Sequence, residues 1–444
     1  MKLIETLKNI WKIEDLRKRL TITFLFILIY RFGCHVVLPG INPADLEAMR
    51  NFTNSGLMQL LDMFSGGAFG QASIFALGIM PYITASIVIQ LMGMVVPSFQ
   101  KMQREGESGR MKLNQYTRYL TVAILLVQAP AYLMNLQYQV NAAGGHAHIS
   151  GLMMIYLSIV LTAGAMLIMW LGEKMTDKGI GNGISIIILV GILARFPGAI
   201  VQEFTSRLNT AQGGLVMFLV EIVILFAVTA GAVMLTQGTR KVHVQYAKRI
   251  VGNKQYGGAR QYIPLKVNAA NVMPIIFAQA LMFIPITLAG FGARQDAAGF
   301  GGWLSRTFGD MNGFWYNVVY FLMIVAFTYF YTAITVRPTQ MAEEMKKNSG
   351  FIPGIKPGKK TAEYLDSIMS RITLPGSIFL GIVAILPAFA RYFGVNQSFA
   401  QFFGGTSLLI TVGVVLDTLQ QIETHLMMHH YDGLMKSGKI KGRR

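Results

Sequence analysis

The chain has 444 residues, 53% of them hydrophobic and only 14% charged, with a positive mean hydropathy. Soluble domains carry about 25% charged residues, so this composition excludes an ordinary soluble protein and points to a polytopic membrane protein. A formal charge of +18 fits nucleic acid or acidic lipid in general, and only its distribution along the chain gives it meaning.

The first twenty residues, MKLIETLKNIWKIEDLRKRL, form an amphipathic basic arm without the apolar core of a cleavable signal peptide. Residues 57–71, LMQLLDMFSGGAFGQ, are apolar enough to enter a bilayer, yet they carry Asp62, Gly66, Gly67 and Gly70, which make poor membrane helix. Irregular backbone at membrane depth persists only inside protein or beside a water-filled cavity, so this run predicts a re-entrant element. Apolar windows long enough to span occur at 20–38, 73–96, 117–138, 151–172, 183–201, 214–236, 269–290, 313–336, 373–391 and 404–425. Ten spans place both termini on one side. On that side lie 32 Lys and Arg, against six on the other, so the positive-inside rule predicts cytoplasmic termini.

Two cytoplasmic loops are far longer than neighbouring helices need. Residues 237–268 hold seven basic and no acidic residues, and the alternation in VHVQYA predicts a short strand and a projecting hairpin. Residues 337–372 contain Pro353, Gly354, Pro357 and Gly358, which favour a fixed turn, followed by a helix with Thr361 as the expected N-cap. Such loops fit docking of a partner, beyond contact with anionic lipid.

No phosphate-binding loop, HExxH or nucleophile elbow is present, so no catalytic residue is expected. The glycines of KGIGNGISI follow a membrane span rather than a strand, and read as a tight turn instead of a dinucleotide site. His425, His429 and His430 recur near one helical turn apart but read as a solvated tail; no metal or cofactor is expected. Among membrane-depth charges, Arg31 is placed to snorkel, while Glu221 and Asp417 are too scattered for a relay. Thr84, Ser86, Gln90, Gln128 and Gln279 read mainly as hydrogen-bonding glue between helices. Ile79, Ile83 and Ile87, and again Ile184, Ile188 and Ile192, recur every four residues. Spacing alone leaves them as core or lipid contacts, or as an apolar ring that closes a pore by dewetting it. A secondary transporter with a site at the broken helix, and a membrane enzyme, are the competing classes.

The blocks MFSGGAFGQASIFALGIMPYITASIVIQL, EGESGRMKLNQYTRY, MWLGEKMTDKGIGNGISIII, QYAKR, PLKVNAANVMPIIFA, FIPGIKPGKKTAEYL and FGGTSLLI occur in order over nearly the whole chain. Together they closely resemble the SecY family of bacterial protein-translocation channels. The resemblance implies an all-α fold of ten transmembrane helices in two pseudo-symmetric halves, 1–205 and 213–425, with a basic cytoplasmic tail at 426–444. It implies a plug on the outer side around 60–71, comprising Asp62, Met63, Phe64, Ser65, Gly66, Gly67, Ala68, Phe69, Gly70 and Gln71. The pore ring carries over to Ile79, Ile83, Ile184, Ile188, Ile276 and Ile410. A lateral gate between the second and seventh spans carries over to Thr84, Ile87, Gln90, Gln279 and Ile284.

The two long loops would dock the ribosome or a SecA-type motor ATPase through Arg240, Lys241, Lys248, Arg249, Lys254, Arg260, Lys356, Lys359, Lys360 and Arg371. Lys356 stands where the family usually has arginine, keeping the charge and losing the planar fork. The other partners implied are SecE-like and SecG-like small subunits, preproteins with signal sequences, and anionic lipids, in a bacterial plasma membrane. With no ATP site, the energy for transport would come from partners or the membrane potential.

Overall fold

Backbone within a bilayer must satisfy its own hydrogen bonds, and apolar runs of this length do so as helices. The computed structural model describes residues 13–41, 62–142, 150–209, 214–246, 249–251, 254–256, 260–270, 272–279, 281–282 and 313–436. Its helices are α1 Glu14–Gly33, α2 Met80–Val95, α3 Pro97–Arg104, α4 Glu107–Ala142, α5 Gly151–Lys178, α6 Gly183–Asn209, α7 Gly214–Gln237, α8 Phe314–Thr335, α9 Pro338–Lys347, α10 Lys359–Tyr392, α11 Gln397–Ala400 and α12 Gly405–Lys436. Residues 273–279 are also helical.

Among the described residues, seven helices are long and apolar enough to cross a membrane alone, and α2 joins them only together with α3, which bends away by 101° at Val96. The difference from ten windows has physical causes. The first turns of α1 are charged, with Glu14, Asp15, Arg17, Lys18 and Arg19, so its apolar stretch is short. The window 73–96 becomes helix only at Met80. The window 269–290 extends into positions outside the described residues.

The chain forms two compact units, residues 1–201 with 414–444, and residues 202–413. In the first, α1 packs on α5, and α4 packs on both α2 and α5. Its core joins Phe69, Ala72 and Ala76 of the segment before α2 to Leu133 and Leu136 of α4 and Leu161 of α5. Pro130 in α4 and Pro197 in α6 lie within helices, as membrane helices tolerate.

In the second unit, α8 lies along α10. The predicted hairpin is present: β1 Thr239–Tyr246 pairs antiparallel with β4 Arg260–Lys266, Val242 opposite Ile263. The short strands β2 Arg249–Val251 and β3 Lys254–Tyr256 pair with each other. The alternation read in VHVQYA buries Val242 and Val244 and leaves Lys241 and His243 exposed. The loops are not separate, however. β5 Gly350–Phe351, from the second loop, pairs with Gln245 and Tyr246 on the other edge of β1. Met345 of α9, Ile352, and Leu365 and Met369 of α10 close a shared core beneath the sheet. Burying aliphatic side chains of this kind contributes about 1.5–3 kcal/mol each. Thr361 is not the N-cap. Gly358 caps α10 with φ of +103°, and Thr361, inside the first turn, donates to the Lys356 carbonyl at 3.0 Å.

Candidate functional site

Asp62 organises the residues that follow it. One helical turn at 62–64 passes into successive turns through residue 79, so the described part of the expected plug is a self-bonded turn rather than an extended helix. The Asp62 carboxylate accepts the Gly70 amide at 2.7 Å, and its main-chain carbonyl accepts the Gly67 amide at 2.8 Å. Ser65 Oγ donates to the Asp62 carbonyl at 3.1 Å and accepts from the Phe69 amide at 2.9 Å. Gly66 and Gly67 adopt φ of +69° and +93°, the left-handed region that side chains disfavour. Met63, Phe64, Ala68 and the rest through Gly70 are buried, and Gln71 is half-buried.

Three neighbouring helices hold this turn. Tyr30 of α1 donates its hydroxyl to the Ser65 carbonyl at 3.2 Å, and Arg31 donates to the Gly66 carbonyl at 2.8 Å. Arg31 thus grips protein backbone instead of snorkelling. Tyr132 of α4 donates to the Phe69 carbonyl at 2.9 Å and packs edge-on against the Phe69 ring. On α6, Arg195 forms an ion pair with Asp62. Gly191, one turn earlier, meets the turn backbone to backbone: a Cβ there would lie 3.1 Å from the Phe64 oxygen, and one on Gly66 would lie 3.0 Å from the Gly191 Cα. Leucine at both Gly66 and Gly67 would add left-handed strain of about 1–2 kcal/mol per residue and push the turn from α6. The expected outcome for Gly66→Leu with Gly67→Leu is a raised resting ion leak in proteoliposomes; an unchanged leak and unchanged export would count against a displaceable closure.

The isoleucine stripes face inward. Ile79, Ile83 and Ile87 are all buried at the start of α2, as are Ile188 and Ile192 in α6, whereas Ile184 is half-buried. The five buried ones therefore contact protein and not lipid. In the second unit Ile410 is buried and Ile276 half-buried.

The expected interhelical polar glue takes another form. Thr84 donates to the Met80 carbonyl at 3.1 Å, and Gln90 donates to Ser86 at 3.4 Å, both within α2. Gln279 is buried, with its Oε1 lacking a hydrogen-bond partner among the described residues. Ile284 and Lys248 lie outside the described residues.

A second buried polar centre escaped sequence reasoning. Arg207 donates Nε to Glu203 at 2.8 Å, and its Nη2 to Glu221 at 2.5 Å and to the Gly394 carbonyl at 3.0 Å. Glu203 also accepts the Asn396 amide at 2.8 Å. All three charged side chains are buried. The i,i+4 spacing of Glu203 and Arg207 is the available signal, whereas Glu221, by sequence a charge too scattered for a relay, gives none.

A sequence model of the SecY family matches residues 73–419. This chain belongs to the SecY family. A protein translocase subunit SecY of Halalkalibacterium halodurans is 44% identical over 440 residues, 98% of this chain and 100% of its own length. One of Streptomyces scabiei is 42% identical over 438 residues, 96% of this chain and 98% of its own. Two solved structures share the fold, each at 20% identity with 92% of both chains covered. They are a protein-conducting channel, at TM-score 0.63, and Sec61 in a canine ribosome–channel complex from the endoplasmic reticulum, at 0.59.

In this SecY-family chain the described docking candidates group on the sheet of the second unit and the helix beside it. Arg240 and Lys241 are exposed on β1, and Arg249, Lys254 and Arg260 open β2, β3 and β4. Lys356, Lys359, Lys360 and Arg371 are exposed before and along the start of α10. Because β5 ties the loops together, these two basic groups belong to one folded body.

Proposed function

We propose that this multi-pass membrane chain works as the channel-forming subunit of a protein translocase, closed at rest by the turn at residues 62–71. Membership of the SecY family carries the channel function. The observation that carries the plug is the turn's attachment: it touches α6 through bare glycine backbone, and is held by side chains of α1, α4 and α6. On the α6 side, where Gly66 meets Gly191, no large side chain interlocks the turn, whereas Phe69 packs into the core beside α4 and α5.

In this reading the chain crosses the membrane ten times in two halves, 1–205 and 213–425, with both termini cytoplasmic in a bacterial plasma membrane. Ile79, Ile83, Ile184, Ile188, Ile276 and Ile410 form the constriction. A branched apolar ring offers hydrated ions no hydrogen bonds, yet yields around an extended polypeptide. The matches are to a translocase subunit and channels, not to an enzyme family, so transport is driven from outside the chain. A SecA-type ATPase or the ribosome docks on the basic sheet, whose charge fits rRNA phosphate and acidic protein surfaces alike. SecE-like and SecG-like subunits complete the assembly.

Apolar signal sequences enter, and apolar segments leave, sideways past Thr84, Ile87, Gln90, Gln279 and Ile284. Joining Thr84→Cys to Ile284→Cys by a short crosslinker, in a Cys34→Ala background, is expected to abolish preprotein export. Undiminished secretion through the locked pair would sink the lateral gate.

A further inference from the structure

The turn between α5 and α6 is fixed by side chains from well separated parts of the chain. The Ile180 amide donates to Thr23 Oγ1 of α1 at 3.2 Å, and the Gly181 amide donates to Gln421 Oε1 of α12 at 2.9 Å. The Gly183 amide donates to Thr176 Oγ1 at 2.9 Å, and the Ile184 amide to Asn182 Oδ1 at 3.1 Å. Arg19 donates to the Gly179 carbonyl at 3.4 Å. With these amides already bonded to protein, the glycine-rich turn is a bracket and not an anion site.

The bracket is itself oriented. Gln421 Nε2 donates to Asp417 at 3.4 Å, which turns its carbonyl oxygen toward Gly181. Thr23 donates its hydroxyl proton to the Arg19 carbonyl at 2.9 Å, leaving its lone pairs for the Ile180 amide. Close packing leaves little slack. Gly181 has φ of +78°, and a Cβ there would lie 3.1 Å from both Ile186 and Thr418. Gly183 is pressed against the Gly172 carbonyl. Immediately after the bracket, on the first two turns of α6, come Ile184 and Ile188.

We propose that Thr23 and Gln421 are positioning residues for the channel: by clamping the turn at 180–183 they set where Ile184 and Ile188 stand, and so how tightly the resting constriction closes. The inference rests on the constriction described under Proposed function. It gives Asp417, otherwise an isolated membrane charge, a task as the group that orients Gln421. It also makes α1 and α12 joint holders of the start of α6.

The test uses the full chain in its translocase complex, reconstituted in proteoliposomes, with two readouts: amide exchange of the peptide covering 179–186 and resting ion flux. Thr23→Val and Gln421→Met keep volume and remove the acceptor. Removing one such hydrogen bond shifts a local equilibrium by about tenfold, so each variant is expected to raise exchange in that peptide by about tenfold and to raise flux. Thr23→Ser, which keeps the hydroxyl, restores both readouts to wild-type values, which a loss of packing alone would not do. Ile184→Gly serves as the control for the constriction. Exchange unchanged in both Thr23→Val and Gln421→Met overturns the bracket. Raised exchange with unchanged flux, while Ile184→Gly leaks, overturns the positioning role and leaves the constriction standing. A tight Ile184→Gly channel overturns the constriction and the positioning role together, while exchange alone still decides whether the bracket exists.

Discussion

Arg207→Ala is expected to destabilise the second unit by about 3–5 kcal/mol, the usual cost of stripping the partner from a buried ion pair. The guanidinium pairs with both Glu203 and Glu221. Its loss would leave two buried carboxylates facing each other and the Gly394 carbonyl without its donor. The readout is the apparent Tm of the purified chain in detergent. Arg207→Lys should fall between, because an ammonium keeps the charge but cannot serve three acceptors in one plane. Replacing the whole centre, with Arg207→Met, Glu203→Gln and Glu221→Gln together, should recover much of the loss, since a neutral packed cluster often equals a buried ionic one. A thermal midpoint unaltered by Arg207→Ala would mean that the three charges hold nothing together.

Asp62→Ala is expected to open the resting channel more than Arg195→Ala does, although both remove the same ion pair. Asp62 is nearly inaccessible, while the Arg195 side chain is 45% exposed, so the pair's own worth is discounted by solvent to about 0–1 kcal/mol. The larger loss is internal to the turn: without the carboxylate, the buried Gly70 amide has no acceptor, at about 1–3 kcal/mol. A loss of that size raises the population of displaced turn by roughly tenfold or more. Resting ion flux through proteoliposomes measures it. Asp62→Asn, which retains a side-chain oxygen for Gly70, should leak far less than Asp62→Ala. Equal leaks from Asp62→Ala and Arg195→Ala would show that the ion pair, and not the turn, keeps the segment in place.

What could be read in advance was periodic or local. Among the described residues the apolar windows carry helices, and the alternation around Val242 and Val244 gives a strand. What escaped reading depends on partners far away in sequence. Asp62 looked like a flaw in a span because its ion-pair partner, Arg195, stands on another helix. Glu221 looked solitary because its arginine comes from the end of the preceding helix, and the associated backbone groups from the turn at Gly394 and Asn396. Thr361 was misread as a cap because Gly358, three residues earlier, takes a backbone geometry open to glycine and ends the turn first. The strand that joins the two basic loops is not legible in the sequence, since nothing local in Gly350 and Phe351 announces it. Ile276 and Ile410 are singled out only by the family resemblance, since no periodicity distinguishes them from their apolar neighbours.

The unbroken course of α10 has a mechanical consequence. Its 34 residues make a rod of about 51 Å at 1.5 Å per residue. Leu365 and Met369 anchor one end beneath the sheet, and just past the other end the chain reaches the Gly394 carbonyl held by Arg207. A flexible tether would absorb a push on the sheet as local slack. A rod hands it on as displacement, so under the docking proposed above a push on the sheet would reach the Gly394 end of α10 with little loss of amplitude, and Pro375 and Pro387 within the helix are the points at which that displacement can change direction.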